Sequence, residues 1–336
     1  MSCEWHDKIF SAGEQNFEDL ALEIFRFQYE GNPVYRSYTD VIRVKQESVD
    51  RLEAIPFLPV GFFKTKEVKT GNFDPEIIFE SSGTTQTKNS HHFVKDISLY
   101  KESFTKAFET MYGSIDKLCV LGLLPSYLER GNSSLVYMVD SLIKKSKNPQ
   151  SGFYLYDYEK LENTLKTLEN LQQKTLLIGV TYALLDFAEK FPVSLKHTII
   201  METGGMKGRQ KEMTKMEVHA YLKKAFSLNE IHSEYGMTEL LSQAYAKKDG
   251  RFQCPAWMKV MIRDDEDPLT VRNLQSAACN KQQTITGAIN IIDLANVYSC
   301  SFIATDDVGK FYQDNSFEVL GRMDGSDLRG CSLLTV

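Results

Sequence analysis

Apolar residues recur at helical spacing early in the chain, at Phe17, Leu20, Ala21, Ile24 and Phe25, which predicts a packed helix with Asn16 as its cap. A second stripe, Ile97, Tyr100, Phe104, Ala107, Phe108 and Met111, predicts another helix, capped by Asp96 and stopped at Gly113. Between them, residues 55–64 read IPFLPVGFFK; two prolines forbid a regular helix, so an extended segment laid on the core is expected. Ile77, Ile78 and Phe79 form a short buried strand that runs straight into a polar loop. Farther on, apolar runs alternate with helical stripes. A strand over 118–124 is followed by a helix through Leu142 and a helix carrying Leu161, Leu165, Leu168 and Leu171. Then come a strand over 175–180, a helix over 182–190, a strand over 197–201 and a helix to Phe226. That alternation predicts a parallel sheet covered on both faces. From residue 289 the pattern changes to short strands, 289–294, 301–304, 310–312 and 317–320, separated by Asp, Asn and Gly, the punctuation of a β-meander. The expected class is α/β, with β-sheets flanked by helices and a β-meander at the C-terminal end.

Composition narrows the function classes. The 336 residues, 42% hydrophobic and 25% charged, suit a globular protein with one large α/β domain or two ordinary ones. Lys and Arg number 39 against 45 Asp and Glu, a net charge of -6, so the basic footprint that nucleic acid or an anionic membrane requires is missing. The longest apolar stretches, 118–124 and 176–185, are far short of a membrane span. The cysteines (Cys3, Cys119, Cys254, Cys279, Cys300 and Cys331) are scattered, without a Cys-x-x-Cys pair or a secretion signal, which points to free thiols in a reducing cytoplasm. Cys254, Cys279 and Cys300 lack the spacing of a zinc site and are expected to be buried.

The polar chemistry begins with Glu80, Ser81, Ser82, Gly83, Thr84 and Thr85. Backbone N–H groups and hydroxyls around a glycine can wrap a phosphate chain, although an ordinary surface loop has the same composition. Three further segments follow in order: TGGMKGR at 203–209, EYGMTE at 234–239, and the closing pair TDDVG at 305–309 and GRMDGSDLRG at 321–330. No Gly-Lys-Ser/Thr element follows the first loop, which argues against a P-loop kinase or ATPase, and no Gly-x-Ser-x-Gly elbow supports a serine hydrolase.

The ordered set resembles the adenylate-forming enzymes, which include acyl-CoA synthetases, luciferases and adenylation domains. With IPFLPVGFFK, with PSYLERGNSS at 125–134 and with a Cys just before the C-terminus, the chain looks more narrowly like the LuxE acyl-protein synthetase family of bacterial bioluminescence and its relative phenylacetate-CoA ligase. The resemblance implies the large N-terminal-type domain of those enzymes, and ATP with Mg²⁺ as the means of activating a carboxylic acid. It places Ser81, Ser82, Gly83, Thr84 and Thr85 on the phosphates, with Thr84 and Thr85 nearest the β and γ groups. It implies Tyr235 and Gly236 at the adenine, with Tyr235 stacked on it beside the Gly204 and Gly205 turn. By the same resemblance Thr238 would meet the α-phosphate, Glu239 would hold Mg²⁺, and Asp307 and Arg322 would meet the ribose.

The chain departs from the wider superfamily at three points. Gln86 stands where a Gly is usual, and the Pro-Lys ending of the phosphate loop is missing; His92 is a tentative substitute contact, with a surface histidine as the alternative. The sequence ends at Val336, soon after the last motif, where the resemblance would add a small C-terminal domain with an adenylation lysine; the expectation is that another cation, Lys207 or Arg209, takes its place, or that adenylation is slow until a partner docks. The resemblance makes Cys331 the acyl acceptor; it lies nine residues beyond Arg322, a tether that at about 3.3 Å per residue spans up to about 30 Å. The expected organisation is a catalytic domain over 1–320 and a hinge and tail over 321–336. The expected partners are a carboxylic, notably fatty, acid and an acyl-reductase or other acyl-acceptor protein, without nucleic acid or membrane insertion. A carboxylate-CoA ligase and a non-catalytic nucleotide-binding subunit are the alternatives.

Overall fold

The computed structural model describes residues 3–81, 88–124, 132–204, 213–264, 267–272 and 284–323. The chain divides into two compact units, one made of Met1–Phe104, Met237–Gln243 and Gln253–Ser326, the other of Thr105–Gly236, Ala244–Phe252 and Asp327–Val336.

The first unit is built on an antiparallel run of strands in the order Val271–Arg272, Met258–Arg263, Thr284–Asp293, Phe302–Tyr312 and Phe317–Arg322. Its core is dense in apolar side chains: Ile289, Ile291, Ile292, Phe302 and Ile303 are fully buried. The helix Phe17–Gly31 buries the predicted stripe and adds Gln28 to it. The buried Gln28 carboxamide donates to the carbonyls of Asn296 and Val297 at 3.1 and 2.9 Å and accepts from Ser301 N–H at 3.0 Å, so a polar side chain staples the helix to the sheet. Asn16 precedes this helix without capping it; its side chain accepts from Gly13 N–H at 2.7 Å instead. The proline-rich segment is extended only over Leu58–Pro59, where Leu58 pairs with Ile303 in parallel, and then turns into the 3₁₀ helix Val60–Lys64.

The meander corrects one expectation. The expected strands 301–304 and 310–312 merge into one continuous strand, Phe302–Tyr312, so TDDVG lies within the sheet. Asp is poor in strands because its carboxylate competes for backbone groups. Here Arg322 pairs with Asp306 at 2.8 Å and lies 3.6 Å from Asp307, and the strand tolerates both. The register shifts between Val308 and Gly309. A Cβ on Gly309 would sit 2.5 Å from Ile289 Cδ1 and 2.7 Å from the Glu318 carbonyl, which explains the glycine.

A separate antiparallel hairpin in the same unit, Ile77–Glu80 with His91–Val94, sets Phe79 opposite His92 and Glu80 opposite His91. It forms the neck of the Ser/Thr/Gly loop.

The second unit carries the predicted parallel sheet, in the order Gly152–Phe153, Cys119–Leu123, Thr175–Gly179, Thr198–Glu202 and His232–Tyr235, with Ala244–Ala246 antiparallel beyond it. The strands Cys119–Leu123 and Thr175–Gly179 are buried throughout. The helices Ser134–Ser146, Tyr158–Asn170, Thr181–Lys190 and Lys215–Phe226 alternate with these strands. Leu161, Leu165 and Leu168 face the core, whereas Leu171, expected on the same stripe, ends the helix and is 69% exposed. Thr214 and Glu217 form a reciprocal capping box at the start of Lys215–Phe226. Among the described residues, no helix is long and apolar enough to cross a membrane, and no group of three or more His, Cys, Asp or Glu side chains could hold a metal ion.

Candidate functional site

In the first unit, the residues after Gly236 pass a set of buried polar anchors. His92, on the hairpin, is fully buried rather than at the surface, packed edge-on against Phe63 with centroids 5.9 Å apart. Its Nδ1 lies 2.8 Å from the Thr238 carbonyl, and because a carbonyl can only accept, Nδ1 carries the proton. Burial pushes the His92 ring down to about 4, against the opposing effects of the Thr238 bond and the Glu239 charge, so it is neutral at ordinary pH. Glu239 is fully buried, and its carbonyl accepts from Asn296 Nδ2 at 2.7 Å. Asp293, at the end of an apolar strand, receives Leu241 N–H at 2.8 Å, Ser242 N–H at 3.0 Å, Ser242 Oγ at 2.6 Å and Ala295 N–H at 3.1 Å. Burial drives the Asp293 carboxyl up to about 6 despite these bonds.

Asp307 and Arg322 meet in the same unit on adjacent strands. Beneath them, the buried Arg263 guanidinium donates to the carbonyls of Ile289 and Thr305 and to Asn290 Oδ1, while Thr305 Oγ accepts from Asp307 N–H at 3.1 Å. An arginine whose hydrogen bonds go to backbone carbonyls fixes strand geometry, and here it fixes the strand that carries Asp306 and Asp307.

The second unit holds a buried carboxylate cluster at the carboxyl ends of its strands. Glu202 ends the strand Thr198–Glu202; it accepts from Gly204 N–H at 2.8 Å and Thr181 Oγ at 3.2 Å, with Lys215 Nζ at 3.1 Å and His219 Nε2 at 3.4 Å. Burial alone would raise its pKa, but Lys215 and His219 more than reverse this and hold the carboxyl well below the usual range. Glu234 behaves oppositely: burial, and then the Glu202 charge, push it up to about 8, with Lys215 opposing. Gly204 sits at φ +74, a backbone conformation that favours glycine. The hydroxyl of Thr203 beside it is buried, without a hydrogen-bond partner among the described residues. Tyr235 is half-buried, its ring 5.8 Å from Phe252, over which Lys215 Nζ lies at 4.5 Å.

The expected site residues are thus distributed as follows. Thr238 and Glu239 share the first unit with His92, and Asp307 with Arg322; Gly204, Tyr235 and Gly236 belong to the second. Ser81 closes the neck of the loop, its N–H donating to the Ser90 carbonyl at 3.1 Å and its Oγ accepting from Ser90 N–H at 2.8 Å. Ser82, Gly83, Thr84, Thr85, Gly205, Lys207, Arg209 and Cys331 lie outside the described residues. Sequence reasoning missed Glu202, Asp293, Asn296, Arg263 and His219. A signal existed for the first two, each a carboxylate that directly follows an apolar run at a strand end, in TIIME and NIID.

Solved structures share this fold. A 2-hydroxyisobutyryl-CoA ligase in complex with 2-HIB-AMP and CoA matches with a TM-score of 0.66 and 11% identity, over 94% of this chain and 70% of that one. ATP-bound MatB from Rhodopseudomonas palustris matches at 0.53 and 16%, over 78% of this chain and 52% of that one. A luciferase-like enzyme from the mealworm Zophobas morio matches at 0.50 and 15%, over 80% and 63%. The chain spans about half the length of the MatB structures. No curated protein sequence matches it. The sequence model of the family described as acyl-protein synthetase, LuxE, matches residues 9–335, nearly the whole chain, and the protein therefore belongs to that family.

Proposed function

We propose that the protein activates a carboxylic acid, in particular a fatty acid, with ATP and passes the acyl group to a thiol. The observation that carries this reading is the family match over residues 9–335. The carboxylate oxygen attacks the α-phosphorus of ATP, the bond to the β,γ-pyrophosphate breaks, and acyl-AMP and pyrophosphate result. A thiolate then attacks the acyl carbon, AMP leaves, and a thioester forms. A carboxylate needs this detour because oxide is a hopeless leaving group and AMP a good one.

The chemistry of the described residues fits ATP as substrate. Thr203 offers a buried hydroxyl without a partner among the described residues, beside a left-handed glycine, and Tyr235 offers a partly open aromatic ring for a base. Asp307 offers carboxylate oxygens to sugar hydroxyls, oriented by Arg322. Glu239 is the hard oxygen donor that Mg²⁺ requires, and Mg²⁺ bound with the phosphates would neutralise charge developing on them. Thr238 lies one residue before Glu239, where its hydroxyl serves the α-phosphate. In this reading Ser81 to Thr85 hold the phosphate chain, Lys207 and Arg209 supply the cation of the adenylation step, and Cys331 receives the acyl group for a partner reductase or acyltransferase.

Incubation with ATP, Mg²⁺ and isotopically labelled carboxylic acids of increasing chain length, followed by peptide mass spectrometry, tests the reading. The expected result is a hydroxylamine-sensitive acyl group on Cys331 that is absent from Cys331→Ser. Release of acyl-CoA upon CoA addition, with Cys331 unlabelled, would overturn the acceptor assignment and favour a CoA ligase.

A further inference from the structure

Two side chains outside the motif hold consecutive carbonyls of the EYGMTE segment. His92 Nδ1–H donates to the Thr238 carbonyl at 2.8 Å, and Asn296 Nδ2–H donates to the Glu239 carbonyl at 2.7 Å. These carbonyls belong to the two peptide planes on either side of the Glu239 Cα. Because each peptide unit is planar, fixing both planes fixes φ and ψ at Glu239, and with them the direction of its Cα–Cβ bond. The segment after Glu239 is held independently, by the bonds from Leu241 and Ser242 to Asp293.

The opposite ends of the same two side chains share a second property. His92 Nε2 and Asn296 Oδ1 are both buried and have no hydrogen-bond partner among the described residues. With the proton on Nδ1, Nε2 is a lone-pair acceptor, and a carboxamide oxygen is also an acceptor. His92 and Asn296 line one small cavity, about 10 Å³, together with Leu99, Leu241, Ala295 and Ser299. That volume is close to what one water molecule occupies, and water has two O–H donors, the number the two acceptors need. Leaving buried acceptors unpaired is costly, so retaining two here calls for a shared donor.

We propose that His92 and Asn296 are positioning residues that aim the Glu239 carboxylate, and that one buried water donating to His92 Nε2 and Asn296 Oδ1 ties them into a single clamp. The clamp runs from the Thr238 carbonyl through His92, the water and Asn296 to the Glu239 carbonyl. Its consequence for Mg²⁺ rests on the reading of Glu239 as the metal-binding carboxylate.

The test compares His92→Leu, which removes the donor and the acceptor, with His92→Asn, whose amide N–H can replace Nδ1–H. Mn²⁺ binding in the presence of ATP, followed by electron paramagnetic resonance, gives a readout independent of turnover, and the Mg²⁺ concentration for half-maximal acid-dependent pyrophosphate exchange gives a second. Loss of one clamp hydrogen bond is expected to weaken Mn²⁺ binding and raise the Mg²⁺ requirement about tenfold in His92→Leu, while His92→Asn stays within about threefold of wild type. ¹⁵N spectra of the imidazole are expected to show one ring proton, on Nδ1. A ring proton on Nε2, or unchanged Mn²⁺ binding in a folded His92→Leu, overturns the proposal. Should His92→Leu not fold, Asn296→Ser, which shortens the donor away from the Glu239 carbonyl, is held to the same tenfold expectation. A wild-type protein without acid-dependent exchange would refute the activation reading, while Mn²⁺ binding and the imidazole spectrum still decide the clamp.

Discussion

Replacing Glu234 by Gln probes the buried carboxylate cluster of the second unit. Burial and the nearby Glu202 charge push Glu234 up to about 8 in the fold, against an ordinary value of 4.5. The folded state therefore holds a proton that the unfolded chain has released across this interval, and stability falls as pH rises through it. Other groups act lower: His92 and His232, both pushed down to about 4 by burial, favour the fold increasingly as pH rises towards 6.5, and Asp293, at about 6, acts in the opposite sense below that value. Glu202, held below the usual range, is ionised in both states over the same interval and contributes no slope there. Between pH 6.5 and 8 the steepest dependence thus belongs to Glu234, and integrating the linkage relation gives a loss of roughly 1–2 kcal/mol. Gln is an uncharged isostere of the protonated acid and cannot release that proton. Urea unfolding of wild type and Glu234→Gln at half-unit steps from pH 6.5 to 8 is expected to show the variant gaining about 1–2 kcal/mol relative to wild type, because all other titrations cancel in the difference. Parallel curves across this range would refute the assignment of Glu234 as the neutral partner of the pair.

Further changes carry definite expectations. Gly309→Ala places a Cβ against Ile289 and the Glu318 carbonyl and is expected to cost about 1–3 kcal/mol in denaturant unfolding; a neutral result would contradict the close packing at the bulge. Asp293→Ala strips the acceptor from three buried backbone N–H groups and the Ser242 hydroxyl, for an expected loss of about 4 kcal/mol, and a loss below about 1 would show that these donors find other partners. Arg322→Ala removes the cation beside Asp306 and Asp307; calorimetry is expected to show ATP binding weakened at least about tenfold, and wild-type affinity would remove Arg322 from the nucleotide site.

The parallel unit was legible in the sequence because its signal is local: wholly apolar strands such as Cys119–Leu123 alternate with striped helices. The meander was legible in kind and wrong in detail, since Asp306 and Asp307 read as a turn until Arg322, supplied from the neighbouring strand, is known to pair with them. Leu171 satisfied the helical period, yet the helix stops at Asn170. Thr238, Glu239 and Asp307 were singled out by the resemblance of their ordered motifs to a family, and their roles at the site are proposals. Their supports stayed hidden. Asn296 reaches the Glu239 carbonyl across 57 residues of sequence and His92 reaches Thr238 across 146, distances at which no periodicity or spacing rule operates. Burial likewise decides whether His92 is a surface histidine or a neutral internal donor, and burial depends on the packed fold.

Acid activation is tested most directly by the exchange of labelled pyrophosphate into ATP with the purified protein, Mg²⁺ and a panel of carboxylic acids. Acyl-AMP formation is reversible, so an acid that serves as substrate must drive label into ATP without any acceptor thiol present. The account predicts exchange that requires both acid and Mg²⁺, persists in Cys331→Ser and is lost in Glu239→Gln. Exchange that no acid stimulates, in a protein that binds ATP, would contradict it.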